Sequence, residues 1–174
     1  MPNFCCNDFY VRGEASQLEA FDGAFKGKAA FSPLPAAMLA TETSEEAAQM
    51  VEENRRQWEE TPEDYYLHCL YPIPQEVLDA DTCYDWCIEH WGTKWEMQDE
   101  NSFRESALVE NNGTELLYGF FTAWEPPTMW LQKVAADWPE LSFELEYEEP
   151  GQSIAGRMVC EKGQTVVDED CSNQ

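Results

Sequence analysis

Basic side chains and histidine are scarce in this sequence. Ten Lys and Arg and two His stand against 35 Asp and Glu, which leaves a net charge of −25 at pH 7. Direct binding of nucleic acid is disfavoured, because phosphate contacts are made by Lys and Arg. An anionic membrane surface is disfavoured for the same reason. No apolar run approaches the ~18 residues of a membrane-spanning helix, and no basic-plus-apolar leader opens the chain. There is no Cys-x-x-Cys pair and no glycine-rich phosphate loop. The aromatic residues are not interleaved with Lys or Arg, as a platform that stacks single-stranded bases requires.

Aromatic residues are plentiful. Acidic disordered chains lack them, whereas this chain has seven Trp, seven Tyr and nine Phe and is 43% hydrophobic, so it is expected to fold despite self-repulsion. Its 174 residues fit one domain, 1–174. The charge favours a basic partner and fast, salt-sensitive association. It is equally accounted for by solubility alone. Seven cysteines, at 5, 6, 69, 83, 87, 160 and 171, make an odd number, and with no leader the expectation is reduced thiols in a cytosol.

The stretch 83–97, CYDWCIEHWGTKWEM, organises the rest. Cys83, Trp86, Cys87, His90 and Trp91 recur at helical spacing. Gly92 supplies a left-handed stop, and Thr93–Met97 reads as a strand of large side chains. Trp86 and Trp95 are the expected core anchors.

Upstream, 4–12 reads as a strand with Phe9 and Val11 on one face, and 14–25 as a helix with Leu18, Phe21 and Phe25 on one side. Residues 28–43 read as a loop with a short strand. A helix runs from an N-cap at Ser44 to about Glu60, its inner face marked by Ala47, Met50, Val51, Asn54 and Trp58. Tyr65–Tyr71 looks like a buried strand, and Gln75–Leu78 like a short helix. Downstream, Asp99–Asn101 reads as a turn. Strands at 106–110 and 114–123 join through Asn112–Gly113. Pro126 and Pro127 start a helix that ends at Pro139. Leu141, Phe143, Leu145 and Tyr147 alternate inward against Ser142, Glu144 and Glu146 outward. A last hairpin, 154–161 and 164–167, turns at Lys162–Gly163, and 168–174 reads as a frayed tail. Hairpins in place of regular crossovers argue for α+β, with a largely antiparallel sheet and helices on one face.

Four segments, MPNFCCNDFYVRG, YDWCIEHWGTKWE, FFTAWEPP and LEYEEPGQSIAG, resemble in order and approximate spacing the YubB-type ferredoxin-like domain, a family carried on plasmids, phages and genomic islands. The resemblance implies a ferredoxin-like sheet and a mobile-element origin, and transfers no catalytic residues. Residues from about 31 to 64 are the least family-like, so their acidic helix reads as an elaboration inserted on the common scaffold.

Candidate chemistry is thin. Cys83, Cys87 and His90 lie on one helix, with His68–Cys69 and Cys5–Cys6 elsewhere, but structural zinc needs about four converging ligands. Cysteines beside core aromatics are more simply buried thiols. Neither histidine has the context of a nucleophile's base. Asp79, Asp81 and Asp85 lack the glycine and glutamate of a calcium loop. No cofactor, metal or enzymatic activity is expected.

The expectation is a non-enzymatic interaction protein in the cytoplasm of a bacterial host. It would inhibit a basic, nucleic-acid-binding host defence protein, as anti-CRISPR or anti-restriction proteins do, by imitating nucleic-acid charge. The alternative is a regulatory or scaffold module of a phage or plasmid, acidic only for solvation. The candidate contacts are helical columns seven residues apart, Glu45, Glu52 and Glu59 beside Glu46, Glu53 and Glu60, with Glu144, Glu146 and Glu148 on a strand. Seven helical residues rise ~10.5 Å, near three ~3.4 Å steps along one DNA strand. Alternate strand residues stand ~6.8 Å apart, near two steps.

Overall fold

The fold starts from one strand whose two faces differ. In the computed structural model, which describes residues 3–31, 33–34, 36–80, 82–97 and 107–171, β1 (Phe4–Arg12) buries Cys5, Asn7, Phe9 and Val11 and turns Cys6, Asp8, Tyr10 and Arg12 to the other side. Helix α1 (Ala15–Phe25) follows and buries Leu18, Phe21 and Phe25, as its periodicity predicts. After α1 come β2 (Lys26–Gly27), α2 (Ala36–Leu39), α3 (Ser44–Glu60), β3 (Asp64–Tyr65), α4 (Leu67–Leu70), α5 (Gln75–Asp79) and α6 (Cys83–Trp91). The remainder is β4 (Leu108–Asn111), β5 (Glu115–Ala123), α7 (Thr128–Asp137), β6 (Ser142–Glu149), β7 (Ile154–Glu161) and β8 (Gln164–Asp170).

The main sheet is antiparallel, in the order β4-β5-β1-β6-β7-β8. Its first four strands, with α1 and α7, make the β-α-β-β-α-β ferredoxin-like unit. β7 and β8 extend it as a hairpin, and the segment from β2 to α6 is inserted between α1 and β4. Helix α7 buries Trp130, Leu131, Val134 and Ala135. These meet the inner sheet residues Phe9, Tyr118, Phe143, Leu145 and Met158 in one core.

Four expectations in the inserted part change. Thr43, not Ser44, caps α3: its hydroxyl accepts from Glu46 N–H while the Glu46 carboxylate accepts from Thr43 N–H at 3.0 Å, a reciprocal capping box. The short strand expected within 28–43 is instead Lys26–Gly27, and 36–39 is a helical turn. Of the expected strand 65–71 only Tyr65 is paired in a sheet, as the end of β3. Leu67–Leu70 is helical, because the Glu96 carboxylate accepts its first N–H groups, Leu67 at 2.6 Å and His68 at 3.1 Å. The expected inner face of α3 does not go inside: no residue of this helix is buried. Its ties lie at its C-terminal end, where Trp58 Nε1–H donates to Ala29 O at 2.8 Å and the Trp58 ring meets Phe31 edge-on at 5.4 Å.

The stretch 83–97 is half as expected. α6 ends at Gly92, whose φ of +85° needs glycine and whose N–H closes on Cys87 O at 3.1 Å. Thr93–Met97 is not a strand. It runs as bends, held by Thr93 Oγ1–H to Ala123 O at 3.1 Å and by Glu96. The anchor is Trp91, fully buried with its Nε1–H donating to Tyr71 O at 3.1 Å. Trp86 and Trp95 are only half-buried. The spacing put Trp86 and Trp91 on one face, but packing of α6 on α7 selects Trp91. At the other end, Asp168–Asp170 continue β8 opposite Met158, Arg157 and Gly156 instead of joining a tail. The turn expected at 99–101 lies outside the described residues, and the hairpin's first strand begins at Leu108.

Trp91→Ala is expected to cost ~3–5 kcal/mol as a core truncation. Trp86→Ala, at a half-buried site, should cost ~1–2 kcal/mol. Urea melts of the two variants decide this, and equal midpoints would remove Trp91 from its place as anchor.

Candidate partner-binding surface

Antiparallel register arranges the outer residues of the sheet in rows. Asp8 lies opposite Gly119 on β5 and Glu146 on β6, Glu146 opposite Arg157 on β7, and Arg157 opposite Glu169 on β8. The next row is Phe121, Cys6, Glu148 and Ala155. On the other side lie Leu117, Tyr10, Glu144 and Val159, then Glu115, Arg12 and Ser142. Rows are ~6.8 Å apart and strands ~4.8 Å apart. This face therefore carries a lattice of carboxylates, with a shallow groove of about 390 Å³ among Cys6, Asp8, Glu146, Glu148, Arg157 and Glu169.

Glu144 departs from its expected role. It is 8% exposed and sits between two guanidinium groups: Arg12 Nη1–H donates to Oε2 at 2.6 Å, and Arg157 Nε–H donates to Oε1. Arg12 also donates through Nε–H to Glu115, so Glu115, Arg12, Glu144 and Arg157 form one chain of ion pairs across four strands. Burial pushes the Glu144 carboxyl up, but the hydrogen bonds from Arg12 and Arg157 outweigh it and hold the group below its ordinary range. Its charge is answered inside the protein, so Glu144 ties the strands of the sheet together. Glu146 and Glu148 are exposed, as expected. The field of this face registers on Tyr10, whose hydroxyl is pushed up by burial and then by Glu146, Asp8, Glu144 and Glu115.

The two helical columns differ. Glu45, Glu52 and Glu59 are all exposed on α3. In the second column Glu46 is held by the capping box. Glu53 accepts from Arg56 Nη2–H at 2.7 Å and from Gln57 at 2.8 Å, whereas Glu60 is exposed at the end of the helix. The Thr43 hydroxyl and N–H hold the Glu46 carboxyl down, and Arg56 followed by Gln57 does the same for Glu53.

Burial disfavours the thiolate at four of the cysteines. Burial pushes Cys5 up to about 12, Cys87 to about 12 and Cys69 to about 11, and raises Cys160. His68 Nδ1 accepts from Ile73 N–H at 3.0 Å, and burial lowers its pKa. His90 Nδ1 lies 3.2 Å from the Tyr71 hydroxyl. Among the described residues no group of three His, Cys, Asp or Glu is placed to hold a metal ion, and no helix is long and apolar enough to cross a membrane. Glu96 is the unusual titratable group. Burial pushes its carboxyl up to about 7, against the pull of the N–H groups of His68, Leu67 and Met97.

Sequence reading missed Asp8, Arg12, Arg157 and Glu169. The alternation of β1 around Phe9 and Val11 already puts Asp8 and Arg12 on the opposite face, but which strands flank β1 is not a local property.

Residues 90–174 match the family model described as the ferredoxin-like domain in Api92-like protein. In three dimensions the chain is similar to the crystal structure of a protein Api92 from Yersinia pseudotuberculosis, with a TM-score of 0.65 and 10% identity over 98% of each chain. At that identity the likeness shows the fold. No curated protein sequence matches the chain.

Because the folded Glu96 pKa lies above its ordinary 4.5, folding favours the protonated form. The stabilisation is present below about 4.5 and lost as pH rises through about 7. Between pH ~5 and ~8 the wild type should lose ~2 kcal/mol more stability than Glu96→Gln does. Urea unfolding of both proteins at the two pH values measures this, and superimposable pH profiles would refute it.

Proposed function

We propose that this chain is a non-enzymatic interaction protein that inhibits a basic, nucleic-acid-binding host defence protein, of the anti-CRISPR or anti-restriction kind, by presenting carboxylates where that protein expects phosphates. The observation that supports it is the open sheet face. Glu146, Glu148 and Glu169 stand exposed on an antiparallel lattice, and among the described residues the guanidinium groups of Arg12 and Arg157 on this face are engaged with Glu144 and Glu115. A preformed lattice of like charge meets a basic groove without the ordering cost of a flexible acidic tail. The exposed column Glu45, Glu52 and Glu59 offers a second such row. The reading takes the chain as YubB-type, of plasmid, phage or genomic-island origin, on the strength of its four sequence segments. It places the protein in the bacterial cytoplasm, without cofactor and without direct contact to nucleic acid or membrane.

The alternative, a regulatory or scaffold module whose acidity is only solvation, draws on a specific observation. Glu46, Glu53 and Glu144 are all engaged within the protein, so part of the acidity serves the fold itself.

The test is charge reversal after the partner has been captured from a bacterial lysate and identified by mass spectrometry. Glu144 is left alone, because a lysine there would face Arg12 and Arg157. Glu146/Glu148/Glu169→Lys and Glu45/Glu52/Glu59→Lys are compared with the wild type. At least one set should abolish capture while circular dichroism stays native, and duplex DNA should compete with the wild type for the partner. Capture by both sets at physiological salt would end the mimicry reading, and a partner with no affinity for nucleic acid would favour the scaffold.

A further inference from the structure

A groove of about 440 Å³ opens on the helix-bearing side of the sheet. Residues of α6 and α7 form one wall, and residues of the β7–β8 hairpin form the other. On the helical wall Ile88 and Met129 are 38% and 45% exposed, so apolar surface is left uncovered there. On the strand wall stand Asp168 and Asp170, in register with Met158 and Gly156. Tyr147 of β6 lines the same groove, and its register partner on β7 is Gly156. A Cβ at position 156 would come only 2.3 Å from the Tyr147 hydroxyl oxygen, so glycine leaves the room for this ring over β7. Burial pushes the Tyr147 hydroxyl up, and the charges of Asp168 and Asp170 push it further, so ring and carboxylates share one space.

The charge of this groove has one sign. Glu125 on the helical side joins Asp168 and Asp170, and among the described residues no Lys, Arg or His lines it. Glu125 and Asp168 have no ion-pair partner among the described residues. The occupant that fits is therefore cationic, with an apolar body to cover Ile88 and Met129. A second copy of this chain, at −25, and an anionic lipid surface both carry the wrong sign. Arginine answers each feature. Its methylene stem covers apolar surface, its planar guanidinium stacks on an aromatic ring, and its fork of N–H donors takes carboxylates. We propose that this groove docks an arginine of a partner protein, presented beside an apolar residue. The docking uses a different surface from the charge mimicry of the outer sheet face and stands or falls separately from it.

The probe is a peptide of about six residues with an Arg between two Leu, beside versions with citrulline or Lys in its place, and free L-arginine. Binding to the isotope-labelled full chain is followed by amide chemical shifts, which report both where the probe sits and how tightly. The Arg peptide should saturate, with shifts centred on Ile88, Met129, Tyr147 and Asp168. The citrulline peptide keeps the shape without the charge, and free L-arginine lacks the apolar neighbours. Each should bind at least about tenfold more weakly, and the Lys peptide at least about threefold. Glu125→Gln/Asp168→Asn should lose at least about tenfold. Glu146→Gln/Glu148→Gln, on the outer face, removes the same charge and should bind like the wild type. All of these side chains are exposed, so each variant is expected to keep the native spectrum, which the same measurement checks. This pattern supports the proposal. No saturable binding, shifts centred elsewhere, equal binding of any comparison probe, an unaffected Glu125/Asp168 variant, or an equal loss in the outer-face variant overturns it.

Discussion

Phe9 is the side chain on which the other layers converge. Its ring stacks on Phe143 of β6 at 5.9 Å and 7°, and meets Trp130 of α7 nearly edge-on at 5.5 Å. It also contacts Phe21 and Phe25 of α1 and Tyr118 of β5, between 6.0 and 6.4 Å. One residue at the middle of the central strand thus touches both neighbouring strands and both helices of the ferredoxin-like unit. The polar edges of this cluster are answered as well: the Tyr65 and Tyr118 hydroxyls both donate to Asp22 Oδ1, at 2.7 and 2.9 Å. With the apolar area of the sheet used on one side, the alternation of every strand leaves the other side free to be polar.

That free side is where a chain of this charge can keep its carboxylates without strain on the core. They are not uniformly solvated. Two arginines draw Glu144 and Glu115 into a chain across β5, β1, β6 and β7, which stitches the strands together on their outer face. Glu146, Glu148 and Glu169 are exposed on the same antiparallel strands. Acidic residues also line the edge strand β8 as Asp168, Glu169 and Asp170, where like charge discourages edge-to-edge pairing with another copy. The same residues give this side of the sheet a strongly negative pattern.

The inserted segment is built on different terms. Helix α3 owes its form to local interactions, a capping box at one end and the Arg56–Glu53 pair along its surface, not to burial. In contrast, α4 and the bends at 93–97 depend on one carboxylate, Glu96, which joins two segments far apart in the chain.

Much of the fold was legible in the sequence. β1, α1, α3, α6 and α7, the hairpin at Asn112–Gly113 and the one at Lys162–Gly163 follow from apolar period, proline placement and turn residues, all of which act over a few neighbours. The outward exposure of Glu45, Glu52, Glu59, Glu146 and Glu148 followed from the same periodicities. Tertiary structure decided the rest. Thr93–Met97 has the composition of a strand and no strand to pair with, so it bends to meet Glu96's donors and Ala123. Trp86 and Trp91 share one helical face, and only the position of α7 puts Trp91 inside. Glu144 has the same alternation as Glu146, yet Arg12 and Arg157 arrive beside it from strands at opposite ends of the chain. Periodicity tells which way a side chain points, whereas what it meets there depends on sheet order and register, which are set by contacts between residues distant in sequence.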